Sequence, residues 1–159
     1  MRIGLGRDVH RLVAGRRLTL GGVAVPFDKG EAGHSDGDAL VHALIDALLG
    51  AAGLGDIGEW FPPGDARWKD ADSMGLLERV WGAVRGEGWR LVNVDCVVSC
   101  EAPRLLPYRQ MMRERLAGAL GVDAERVFVK AKTGEGLGDV GEGRAVEALA
   151  VCLLQRHGA

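Results

Sequence analysis

Residues 2–13 alternate: Ile3, Leu5, Arg7 and Val9 fall on one parity, Asp8 and His10 on the other. A period of two predicts a strand, with the acid and the imidazole pointing the same way. Ala14-Gly15-Arg16 reads as a hairpin turn into Leu18-Thr19-Leu20, and Val23-Ala24-Val25 as another short strand before Pro26. Residues 28–33 read as a loop. The spacing then becomes helical from about Asp36 to Gly53, where Ala39, Ala43, Leu44, Ala47, Leu48 and Ala51 make an apolar stripe. Asp38, His42 and Asp46 recur at every fourth position of this segment and share one face. Ser35 followed by Asp38 has the spacing of a capping box at the helix start.

Residues 54–67 carry Gly55, Gly58, Pro62, Pro63 and Gly64 and read as a long loop, of the kind that is usually functional in a compact domain. A second amphipathic helix spans 73–85 through Leu76, Leu77, Val80, Trp81 and Val84. Residues 91–99 are a strand rich in valine, 107–120 a third helix, 127–129 a strand, and 132–143 a glycine-rich loop. Residues 144–155 read as a last helix with Val146, Leu149, Ala150 and Leu153 inward. The order β-β-β-α-α-β-α-β-α predicts an α+β fold, one domain over 1–159, with a mixed β-sheet and helices packed on one face.

Composition adds bounds to this picture. A chain of 159 residues with 47% hydrophobic and 26% charged residues is enough for one sizeable core. A net charge of −2 gives no reason to expect a nucleic-acid or membrane partner. The start Met1-Arg2-Ile3-Gly4 has no apolar signal core, and no run approaches a membrane span, so a cytoplasmic protein is expected. Cys96, Cys100 and Cys152 lack C-x-x-C spacing, and Cys96 and Cys100 sit in an apolar run, which predicts buried thiols.

The chemistry concentrates in a few short stretches. Asp8 and His10 present ligand-type side chains together, and His42 is a candidate third from the facing helix. One carboxylate and two imidazoles with an open fourth position describe a catalytic Zn²⁺ site, and Asp46 or a backbone carbonyl could orient an imidazole from behind. Taken alone, the same residues read more readily as unrelated polar groups at element ends. His34 and Ser35 at a helix N-terminus suit a phosphate, which is compatible with ordinary capping by Ser35. Lys132-Thr133-Gly134-Glu135-Gly136 offers an ammonium, a hydroxyl, backbone amides and a carboxylate, a set that fits a polyphosphate with Mg²⁺. It lacks the order of a P-loop, and by itself it reads as a surface turn. Residues 101–107 could hold a flat ring through backbone groups, and Asp56-Ile57-Gly58 could bind sugar hydroxyls.

Six segments, read together, carry a resemblance: D-V-H at Asp8, H-S-D-G-D at His34, H-A-L-x-D-A-L-L-G-A from His42, G-D-I-G-x-x-F-P from Gly55, A-P-R-L-L-P from Ala102 and K-A-x-T-x-E-x-L-G from Lys130. In this order, over nearly the whole chain, they resemble the 2-C-methyl-D-erythritol 2,4-cyclodiphosphate synthases of the non-mevalonate isoprenoid pathway. The resemblance implies Asp8, His10 and His42 as ligands of one Zn²⁺ per subunit, and Glu135 as the ligand of a Mg²⁺ or Mn²⁺ on the diphosphate. It implies catalytic roles for His34 and Thr133. Substrate contacts would come from Asp8, Val9, His10, His34, Ser35, Asp56, Ile57, Gly58, Phe61 and Asp65. A cytidine pocket would be made by Cys100, Ala102, Pro103, Arg104, Leu105, Leu106, Ala131, Lys132 and Thr133, with Glu135 beside it. It further implies a homotrimer with active sites between subunits, a CDP-bearing small-molecule substrate, and CMP as a product.

The chain departs from the family at 132–143, which is two residues shorter and lacks an arginine that the family uses on the diphosphate. Lys132 or Arg144 is the expected replacement. Two other readings stay open on sequence grounds: a metal-dependent phosphohydrolase, which would release inorganic phosphate, and a non-catalytic trimer that binds isoprenoid diphosphates.

Overall fold

In chain order the elements are β1 (Arg2–Ala14), β2 (Leu18–Leu20), β3 (Val23–Val25), β4 (Lys29–Glu31), α1 (Ala39–Ala52) and the short α2 (Ile57–Trp60). They continue with α3 (Ser73–Gly86), β5 (Trp89–Ser99), α4 (Arg109–Leu120), β6 (Val127–Lys132), the short α5 (Gly138–Gly141) and β7 (Ala145–Arg156). This is the computed structural model of the chain, and it describes residues 1–33 and 35–156. Five strands form a mixed sheet in the order β4-β1-β7-β5-β6, in which only β5 and β6 run parallel. One hydrophobic core lies between this sheet and α1, α3 and α4.

The sheet begins from β1, whose even positions face α1. Gly4 and Gly6 are required there: a Cβ on Gly4 would stand 1.8 Å from the Ala47 carbonyl oxygen, and one on Gly6 would stand 1.9 Å from that of Ala43. The helix therefore lies almost directly on the strand, and the next residues of the same parity, Asp8 and His10, come level with His42. The odd positions of β1 point the other way, where Ile3, Leu5 and Val9 are exposed in the single chain. On β7 their sheet neighbours are Leu153, Val151 and Glu147.

Four expectations change. Residues 144–155 are a strand, β7, paired along β1 and β5. Its alanines and leucines favour a helix, but Val146, Ala148, Ala150, Cys152 and Leu154 alternate into the core, and small side chains there let α1 pack closely. Residues 28–33 are not all loop, since β4 extends the sheet beyond β1. β2 pairs with β3 through Gly21 and Gly22, both at positive φ, rather than forming a hairpin with β1. Finally, α1 begins at Ala39 with Asp38 as its cap, not near Asp36: Gly37 has φ 83°, and its Cβ would meet Glu31 at 2.9 Å. All three cysteines are buried and free, as expected for Cys96 and Cys100. Burial pushes the Cys96 thiol up to about 12 and those of Cys100 and Cys152 up to about 11. Among the described residues no helix is long and apolar enough to cross a membrane.

Candidate active site

Asp8 and His10 come from β1 and His42 from the second turn of α1, and their ligand atoms lie within 4.8 Å of one another. Asp8 Oδ2 is 2.9 Å from His10 Nε2 and 3.0 Å from His42 Nδ1. Bonds of about 2.0–2.1 Å at tetrahedral angles place zinc ligands about 3.3 Å apart, so this donor set fits one Zn²⁺. Without a metal, burial pushes the Asp8 carboxyl up, but hydrogen bonds and charge from His10 and His42 outweigh it and hold the group far below the usual range. Burial alone would lower His10, whereas its contacts with Asp8 and Glu31 raise it to about 10.

Each imidazole is braced on its far side. His42 Nε2 lies 2.9 Å from Ser73 Oγ and 3.2 Å from Ser35 Oγ. The Ser73 hydroxyl in turn donates to Asp36, whose other oxygen accepts from the Ser73 backbone N–H at 3.2 Å. His10 Nδ1 stands 2.6 Å from the Gly37 carbonyl and 2.9 Å from Glu31 Oε2. A backbone carbonyl thus does orient an imidazole, but Asp46 does not: its carboxylate accepts from the Ile57 N–H at 2.8 Å and sets the start of α2. Asp38 is wholly buried and accepts from the N–H groups of Gly21, Gly22 and Val41. The three residues of one predicted helix face therefore serve as cap, candidate ligand and loop anchor.

The cluster forms the floor of a cavity of about 260 Å³ whose walls include Ser35, Ile57, Gly58, Phe61 and Trp68. Phe61 and Trp68 meet edge to face at 4.9 Å. Asp56 caps α2 and is not among the residues that line this cavity. Asp65 is tied to Arg67 and lines none of the clefts described here. Val9 projects from the opposite face of the sheet, into a groove with Arg7 and Thr133. His34 lies outside the described residues.

A second cleft, of about 420 Å³, is lined by Cys100, Pro103, Arg104, Leu105, Leu106, Ala131, Lys132 and Thr133. It shares no lining residue with the first. The Glu101 carboxylate accepts from the Gly134 N–H at 2.9 Å, joining the two loops that form it. Thr133 Oγ1 donates to Glu135 Oε1 at 3.0 Å, and Glu135 itself is exposed at φ 53°. Arg144 is held by Asp139 and Glu142, while no described residue pairs with the Lys132 ammonium. Sequence reasoning missed Glu31, Asp36, Ser73 and the aromatic wall at Trp68. Only the helix-start position of Ser73 gave a signal, since its partners lie in segments without periodicity.

A carboxylate and two imidazoles converging under a pocket fit the class of metal-dependent enzymes. The chain belongs to the YgbB family, whose pattern matches residues 1–155. A Moorella thermoacetica protein named 2-C-methyl-D-erythritol 2,4-cyclodiphosphate synthase is 60% identical over 154 residues, covering 97% of this chain and 94% of that one. A protein of the same name from Treponema denticola is 56% identical over 154 residues, covering 97% and 96%. A solved 2C-methyl-D-erythritol-2,4-cyclodiphosphate synthase in a CDP-bound form superposes with a TM-score of 0.89 at 41% identity, covering 97% of this chain and all of that one.

Proposed function

We infer that the chain is a lyase that converts 4-diphosphocytidyl-2-C-methyl-D-erythritol 2-phosphate to 2-C-methyl-D-erythritol 2,4-cyclodiphosphate and CMP. In a family with this activity, the observation that carries the reading is the convergence of Asp8, His10 and His42 on one point at the cavity floor. An oxygen of the 2-phosphate forms a bond to the β phosphorus, the bond from that phosphorus to the α–β bridging oxygen breaks, and CMP leaves with the bridging oxygen. No side-chain nucleophile is needed, so the protein's work is alignment and neutralisation of charge. Asp8, His10 and His42 would hold Zn²⁺ and Glu135 would hold Mg²⁺ or Mn²⁺, and these ions would supply Lewis-acid charge to the phosphate oxygens.

The chain's own residues divide the substrate. The 260 Å³ cavity suits the methylerythritol phosphate end, with Ser35, Ile57, Gly58 and Phe61 against it. The cytidine belongs in the second cleft, where backbone groups of 100–106 read the ring. Thr133 and Glu135 face the diphosphate between the two, with His34 and Thr133 steadying the transition state. Lys132 replaces the missing loop arginine, because its ammonium is free whereas Arg144 is engaged by Asp139 and Glu142.

Residues 1–159 act as one domain, and three copies assemble so that one subunit's metal cavity meets its neighbour's nucleotide cleft. The exposed Ile3, Leu5 and Val9, at 73%, 65% and 46%, support burial of the open sheet face in an assembly. Three unpaired thiols fit a reducing cytoplasm. The test is to incubate metal-loaded protein with the substrate and follow products by phosphorus NMR. Equal amounts of CMP and cyclic diphosphate are expected. Inorganic phosphate would indicate a hydrolase, and binding without turnover a non-catalytic receptor.

A further inference from the structure

Glu31 is buried and lies at the end of a three-residue strand, a place where an apolar side chain would ordinarily serve as well. Its Oε2 accepts from the Ala39 N–H, at the first turn of α1, at 2.9 Å and also stands 2.9 Å from His10 Nδ1. The Gly37 carbonyl lies 2.6 Å from the same nitrogen. With two acceptors on its side, Nδ1 is the nitrogen that keeps its hydrogen when a metal binds, so that Nε2, which faces Asp8, is the one that would give up its proton and turn a lone pair to the metal. Gly37 makes this approach possible, since a Cβ there would stand 2.9 Å from that of Glu31. The other candidate ligand imidazole, His42, is backed on Nε2 by hydroxyls, and on that side it meets a carboxylate, Asp36, through Ser73.

We propose that Glu31 is a positioning residue for metal binding: it locks His10 with Nδ1 protonated, and it raises the donor strength of Nε2. A carboxylate behind a ligand histidine fixes its tautomer and makes the metal-facing nitrogen more basic. Glu31 does this while anchored to the helix that carries His42, so a single side chain ties both imidazoles to one frame. The proposal rests on the reading of Asp8, His10 and His42 as a zinc site.

The test measures Zn²⁺ affinity by competition with a chromogenic chelator for the wild type, Glu31→Gln and Glu31→Leu, with the melting temperature of each metal-free protein alongside. Both variants should bind Zn²⁺ more weakly by roughly 10- to 100-fold, while metal-free Glu31→Gln melts close to wild type. Unchanged affinity with a lowered melting temperature would overturn the proposal and leave Glu31 as a cap for α1. A wild type without measurable zinc affinity would instead overturn the metal reading itself. If neither variant folds, ¹⁵N-histidine NMR of the zinc-loaded wild type decides: a protonated, exchange-protected His10 Nδ1 supports the proposal, and metal on Nδ1 contradicts it.

Discussion

The two clefts of this chain are built in opposite ways. Around Asp8, His10 and His42 the groups are partly buried, and each imidazole has a partner behind it, whether Glu31, Gly37, Ser35 or Ser73. Around Lys132–Glu135 the groups are exposed, and the loop closes mainly on itself through Thr133 with Glu135 and Arg144 with Asp139 and Glu142. The first cleft is organised before any ligand arrives, which spares reorganisation during reaction. The second presents free valences that a diphosphate and a neighbouring subunit would take up. In the proposed assembly, each chain thus contributes a finished half-site and an open one.

Perturbing the finished half should have the larger effects. Asp8→Asn is expected to lower kcat/KM by about 10³-fold, several kcal/mol of lost charge stabilisation, with folding intact by circular dichroism. Gly6→Ala probes the frame beneath it: a Cβ 1.9 Å from the Ala43 oxygen must push α1 away from β1. Its cost should be about 3 kcal/mol in urea unfolding, with weaker zinc binding as Asp8 and His42 separate. A stability loss without any change in metal affinity would detach the strand–helix spacing from the site.

Metal removal should expose the electrostatics of the same half. The His10 pKa is raised from 6.5 to about 10 in the metal-free protein, so its contribution to stability is complete below about pH 6.5 and vanishes as pH rises through about 10. Glu31, raised from 4.5 to about 8 chiefly by burial, contributes in the same direction over a lower window. Calorimetry with a chelator present should therefore show the melting temperature falling across pH 6.5 to 10, a slope that bound zinc flattens. The smallest effect belongs to the open half. Lys132→Ala is expected to raise KM about 10-fold, the worth of one exposed ammonium on a phosphate, and to leave zinc affinity alone. Unchanged kinetics would return the role of the missing arginine to another residue.

The pairing of Asp8 with His10 was legible because parity is a local property. Asp8 and His10 are two apart on a strand, and His42 repeats the helical spacing of its neighbours. What braces the ligands was not legible: Glu31 lies in a segment too short to show a period, and its partner Ala39 is apolar. Asp36 and Ser73 meet across 37 positions of chain. The last element was misread because alanine and leucine favour a helix, whereas pairing with β1 and β5 on both sides fixes it as a strand. Tertiary context overrode propensity there, as it commonly does at sheet centres.

The central claim is that a working site joins one subunit's metal half to another's nucleotide half, and subunit mixing tests it most directly. His42→Ala removes the metal half and Glu135→Gln the loop half, so each protein alone should be nearly inactive. Refolding the two together in equal amounts should restore roughly one quarter of wild-type CMP formation, the fraction of random interfaces that join two intact halves in a ring. A mixture no more active than its components would contradict the shared site and place both halves within one chain.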